Sequence, residues 1–167
     1  KINGISHFLE HMFFKGSRKY PSAEIISTLI DGIGAVNNAS TSKEWTNYWV
    51  KSAAKHLELS MDIISSMLKE SLLAEEEIER EKGVIIEEIR MYRDNPSSHN
   101  AELYESLKYD KNQPLGFNVA GEEKIINSLT RQDFIDYVDS LYSPKNMVLV
   151  LAGKLPGNVK KLVEKYF

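Results

Sequence analysis

The chain of 167 residues has no cysteine, which excludes disulfide bonds, thiolate metal sites and cysteine nucleophiles from the outset. Any metal must then be held by His, Asp or Glu, and only four histidines are present to supply imidazole. No apolar run approaches the roughly 20 residues needed to cross a bilayer, so no membrane span is expected. Basic charge is not in excess either: 21 Lys and Arg stand against 24 Asp and Glu, a net −3, which leaves no basic stripe for nucleic acid. Internal repeats and low-complexity tracts are absent. An initiator Met is also missing, and Lys1-Ile2-Asn3-Gly4-Ile5-Ser6 runs almost directly into the strongest motif of the chain. The expectation is therefore a fragment of a longer protein, whose compartment the missing leader leaves open.

What is present is a 42% hydrophobic, 27% charged chain, the balance of one domain (residues 1–167) that can bury its own core. From about Ile5 to Phe14 it is apolar on most sides, with His7, Glu10 and His11 as the polar members, which predicts a short buried helix ended at Gly16. Ser22 is a fair N-cap for a helix bearing Ile25, Ile26, Leu29 and Ile30. Between Gly34 and Ser52 the signals turn to β, with Ala35, Val36, Trp45, Tyr48, Trp49 and Val50 flanking a polar stretch as in a hairpin. Helical spacing returns over 53–70, and a long acidic helix from about Ala74 to Arg93 is ended by Asn95-Pro96. Shorter amphipathic helices are predicted over 99–109, after the capping-box-like Thr130-Arg131-Gln132-Asp133, and from Pro156 to Phe167. Met147 to Leu151 is a continuous apolar run that reads as a strand closed by Gly153. Strands and helices mix without strict alternation, so the expected class is α+β, with helices laid on a sheet.

His7-Phe8-Leu9-Glu10-His11 places two imidazoles at i and i+4, on one helical face and within reach of one cation. Zinc takes His nitrogen and carboxylate oxygen at about 2 Å in a tetrahedron, and a catalytic site leaves the fourth corner to water. Glu10 is offset from both imidazoles, where a carboxylate takes a proton from water rather than binding metal. Two imidazoles and a carboxylate in so apolar a helix are costly unless something satisfies them. A third protein ligand is needed, and this motif alone does not supply one. His56 and His99 have no partner at ligand spacing and read as structural or surface residues.

The string from His7 to Gly16, His-Phe-Leu-Glu-His-Met-Phe-Phe-Lys-Gly, resembles the inverted zinc motif of the pitrilysin, insulin-degrading and mitochondrial-processing peptidases. Its tail and the Glu-Arg-Glu-Lys-Gly-Val-Ile run look closest to the processing-peptidase branch, including its bacterial members. In that family a third ligand glutamate lies about 76 residues past the second His, and here residues 12 to 87, 76 in all, separate His11 from Glu88. The resemblance thus implies a zinc site of His7, His11 and Glu88; without that spacing Glu88 is one acid of a largely solvated acidic face and Glu87 its nearest rival. Glu10 is implied as the catalytic base. Glu81 lies two helical turns before Glu88 on the same face and fits a supporting catalytic role, steadying a ligand His. Gly34 to Ser42 looks like the family's edge strand, which makes Asn38 and Ala39 substrate-binding residues for extended peptide. Read from the strand pattern alone, the same segment is equally an ordinary hairpin with a polar tip.

The resemblance also implies helices packed on a mainly antiparallel sheet, peptide as substrate, and a second homologous domain or partner subunit that this chain ends too soon to contain. Activity is then expected as zinc-dependent cleavage of peptide bonds, unless the chain is a non-catalytic scaffold or peptide-binding subunit of the same superfamily. Loss of a motif residue would favour the scaffold, and none is lost. A related fold that cleaves S-ribosylhomocysteine needs a cysteine, which this chain does not have.

Overall fold

Ile5, Phe8, Leu9, Met12 and Phe13 recur at three and four, and all five are buried; this stripe makes Ile5–Phe13 the helix α1. The computed structural model describes residues 2–109 and 113–167. After α1 come α2 (Ala23–Gly32), β1 (Val36–Thr41), β2 (Thr46–Lys51), α3 (Leu57–Glu70), α4 (Glu75–Asp94), α5 (Pro96–Lys108), α6 (Glu123–Ser128), α7 (Arg131–Leu141) and α8 (Val159–Tyr166). β1 and β2 pair as a two-stranded antiparallel sheet, so the class is α+β with a small sheet and many helices.

The residues fall into two compact units. The first holds residues 1–12, 40–47 and 74–134. Within it α4 is anchored by Ile78, Ile85 and Ile89, all fully buried, and it meets α5 and α6. Phe8 of α1 stacks edge-to-face on Phe134, with ring centroids 4.9 Å apart. Acidic Glu75, Glu76 and Glu77 open α4 and complement its dipole, while Glu79–Lys82 and Glu87–Arg90 pairs line its solvent side.

The second unit holds residues 13–39, 48–73 and 135–167. Its core includes Ile26 and Ile30 of α2 and Ile63 and Met67 of α3, and α8 packs on α3, where Lys69 donates to the Tyr166 carbonyl. Phe13, Tyr48 and Tyr142 form an aromatic cluster, and the two tyrosine hydroxyls lie 3.3 Å apart. Ser22 caps α2 by accepting from Ile25 N–H.

Three sequence expectations change. Met147 to Leu151 forms no strand: the segment is not helical and has no ladder partner among the described residues. Its exposure alternates, with Met147 at 38% and Leu149 at 40% against Val148 at 89% and Val150 at 75%. The apolar pattern carries strand propensity, but a strand needs a neighbour to bond to. α5 starts at Pro96 rather than near residue 99, because Asn95 accepts from Ser97 and Ser98 N–H while Pro occupies the first turn, so Asn95-Pro96 ends one helix and opens the next. The six-residue α6 is an addition, being too short to show a period in the sequence.

Glycine fixes the entry to α1. Gly4 (φ 92°) and Gly121 (φ 84°) touch each other: a Cβ on Gly121 would lie 2.7 Å from the Asn3 carbonyl oxygen, and one on Gly4 2.7 Å from that of Ala120. Asn3 Nδ2 donates to the Asn118 carbonyl beside them at 3.1 Å. Gly121→Ala should therefore destabilise by at least the roughly 1–3 kcal/mol of backbone strain, whereas Gly83→Ala, in open space inside α4, should stabilise by about 1 kcal/mol. Urea denaturation of both variants checks this, and a wild-type midpoint for Gly121→Ala would remove the close approach.

Candidate metal centre

Helical register puts the site together. In α4 the inward residues are Ile78, Glu81, Ile85 and Ile89, spaced three and four apart, and Glu88 lies at the edge of that stripe. Glu87 is turned outward, where its carboxylate meets Arg90 at 2.7 Å. In α1 the stripe of Ile5, Phe8, Leu9 and Met12 is buried, which leaves His7, Glu10 and His11 on the opposite edge, half-buried.

The two edges face each other within the first unit. His7 Nε2 lies 3.6 Å from Glu88 Oε2, His11 Nε2 lies 3.5 Å from the same oxygen, and one donor atom from each of the three residues falls within 4.8 Å of the others. Atoms held by one cation at about 2.0–2.1 Å in a tetrahedron stand roughly 3.3–3.4 Å apart, so this donor set fits a metal of the size and ligand preference of zinc. The three side chains are 12–23% exposed. His7 holds the Glu88 carboxyl below the ordinary carboxylate range against the cost of burial, with Tyr92 and His11 adding to the effect.

Glu81 is 3% exposed and lies 2.9 Å from His11 Nδ1. In the tautomer that donates from Nδ1 to Glu81, His11 Nε2 presents its lone pair toward Glu88. His7 has no such counterpart: its Nδ1 is buried and meets no acceptor among the described residues.

Glu10 stands beside the cluster and accepts a hydrogen bond at Oε2 from Thr41 Oγ1. Thr46 Oγ1 lies 3.4 Å behind Thr41 Oγ1. Asn38 and Ala39 lie in the second unit: Asn38 is exposed, Ala39 is buried, and the Ala39 N–H is already bonded to Asn38 Oδ1 at 2.9 Å. Two residues at the centre carried no sequence expectation of their own. Tyr92 sits one turn past Glu88, a spacing that could have been read; the residue is exposed, but partial desolvation and a hydrogen bond to Glu88, with Glu10 nearby, push its hydroxyl pKa up. Thr41 lies 31 residues from Glu10 and gave no local signal.

Two imidazoles and one carboxylate around a common point, with a further carboxylate alongside, form a donor set that could hold a metal ion. The chain belongs to the insulinase family of peptidases: residues 1–121 match the family described as Insulinase (Peptidase family M16), and residues 128–167 match the one described as Peptidase M16 inactive domain. Over 167 residues, all of this chain and 40% of the relative, it is 38% identical to the uncharacterized zinc protease YmxG of Bacillus subtilis (strain 168). It is 37% identical over 153 residues to the human mitochondrial-processing peptidase subunit beta, covering 92% of this chain and 31% of that one. The crystal structure of a protease from Helicobacter pylori superposes with a TM-score of 0.93 at 27% identity, covering 99% of this chain and 40% of that one. The chain thus spans two fifths or less of the length of these relatives.

If Glu81 sets the orientation of His11, Glu81→Leu should weaken metal binding by about 10- to 100-fold. Titration with cobalt(II), a visible probe of such donor sets, checks this against a folded, CD-matched wild type. Equal affinities would reduce the His11–Glu81 contact to a packing role.

Proposed function

We propose that this chain carries the catalytic centre of a zinc-dependent endopeptidase that hydrolyses peptide bonds in unfolded or extended peptides. The supporting observation is the convergence of His7 Nε2, His11 Nε2 and Glu88 Oε2 next to a carboxylate, Glu10, that is not one of the three. The naming of the Bacillus relative as a zinc protease agrees with the metal. Bound there, zinc would supply a Lewis acid that polarises a scissile carbonyl and lowers the pKa of water toward neutrality.

The chain's own residues do the rest. Glu10 accepts the proton of the attacking water and returns it to the departing amine nitrogen, so one carboxylate serves first as base and then as acid. Glu81 holds His11 in the tautomer that leaves Nε2 available for metal. On β1, main-chain groups around Asn38 and Ala39 accept an extended peptide, which gives tolerance of side-chain sequence and a demand for unfolded substrate. The Ala39 N–H must first leave Asn38 Oδ1 for that ladder to form. Because the chain spans so little of its relatives, a second homologous domain or a partner subunit completes the enzyme in this reading.

Elemental analysis of the full-length parent, followed by cleavage of a quenched unstructured peptide with and without chelator, tests the reading. Glu10→Gln should keep one zinc per site and lose about two orders of magnitude or more in turnover, while His11→Ala should lose the zinc. A metal-free, inactive parent would instead assign the chain to a scaffold or peptide-binding subunit, and a fully active Glu10→Gln would remove Glu10 from the mechanism.

A further inference from the structure

We infer that Thr41 is a positioning residue, whose hydroxyl holds the Glu10 carboxylate in the orientation that takes the proton of water. The inference rests on the reading of Glu10 as the base. Thr41 Oγ1 makes the one hydrogen bond to the Glu10 carboxylate found among the described residues, and it reaches Oε2. Oε1 is then the oxygen left to meet water. The donor is well suited to aim a carboxylate. A glutamate on α1 has three rotatable bonds and no stiffness of its own, whereas a β-branched threonine at the end of strand β1 has a restricted χ1. Thr46 Oγ1, at the start of β2 and 3.4 Å from Thr41 Oγ1, donates to it in turn, so the Thr41 proton is directed onward to Glu10. The Thr41 proton stays on its own oxygen throughout, and Thr41 contributes only direction. Holding a reacting group in one near-attack geometry speeds the step without changing the affinity for metal or substrate.

The test uses the zinc-loaded, full-length parent protein. Thr41→Val keeps the shape and removes the hydroxyl, Thr41→Ala removes both, and Thr41→Ser keeps the hydroxyl. The valine and alanine variants should lose roughly ten- to a hundredfold in kcat with KM within about threefold, and serine should restore most of the loss. Zinc affinity by chelator competition should not move. Peptide affinity measured in a Glu10→Gln background should be the same with and without the Thr41→Val change. Adding Thr41→Val to Glu10→Gln should also cost little further turnover, because the residue acts only through the carboxylate that is gone. A wild-type kcat for Thr41→Val or Thr41→Ala overturns the inference. So does a loss that serine fails to restore, or one matched by falling zinc or peptide affinity, since each assigns Thr41 to the shape of the hairpin. If Glu10→Gln is inactive and the Thr41 variants are normal, only this inference fails; if Glu10→Gln is itself active, the catalytic reading fails and takes this inference with it.

Discussion

The contact between His11 Nδ1 and the buried Glu81 carboxylate is the constraint on which the centre depends. It joins α1 to α4 across 70 residues of chain, and it does so with a charged group that is 3% exposed. A carboxylate buried to that degree is tolerable only if it is hydrogen-bonded, so the contact fixes the rotation of both helices about their axes. Once Glu81 faces inward, helical geometry brings Glu88 to the same side two turns later and sends Glu87 out to Arg90. The same contact rotates His11 so that Nε2 faces Glu88 and His7 lies within reach. One paired carboxylate thus sets the register for every donor atom that converges.

How much of this the sequence showed depended on distance along the chain. The pair His7 and His11 with Glu10 was legible because one helical turn contains all three, and period alone puts the imidazoles on one face. Glu88 was separable from Glu87 only through a family spacing, although the inward stripe of Ile78, Glu81, Ile85 and Ile89 carries the same information once α4 is taken as a helix buried on one side. Thr41 was not legible. Its contact with Glu10 needs the hairpin to fold back on α1, and no periodicity encodes a meeting between residues 31 apart. The α+β class was legible too, but Met147 to Leu151 misleads for a related reason: a continuous apolar run reports what a segment would do beside a partner strand, and none of the described residues provides one.

The two imidazoles are supported differently. His11 Nδ1 is held by a buried carboxylate, whereas the Nδ1 of His7 meets no acceptor among the described residues and the His7 ring contacts Glu88 through Nε2 at 3.6 Å and the His11 ring edge-on at 4.8 Å. A buried carboxylate at Nδ1 favours the His11 tautomer that donates from that nitrogen, and no acceptor among the described residues does the same at His7 Nδ1. In the proposed centre, His11 is therefore the imidazole whose Nδ1 is tied down, and His7 the one whose Nδ1 is not.

Glu10 is the group whose freedom matters most for the scaffold alternative. In the proposed mechanism a carboxylate at the rim of the donor cluster is the base, and a scaffold that only bound peptide would not use it. Here Glu10 is kept, half-buried, and tied to a hydroxyl rather than to a lysine or arginine, which would neutralise it and stop it from taking a proton. A neutral donor orients a base without consuming its charge. In the proposed reading, that choice of partner leaves Glu10 able to act as the base beside three converging donors.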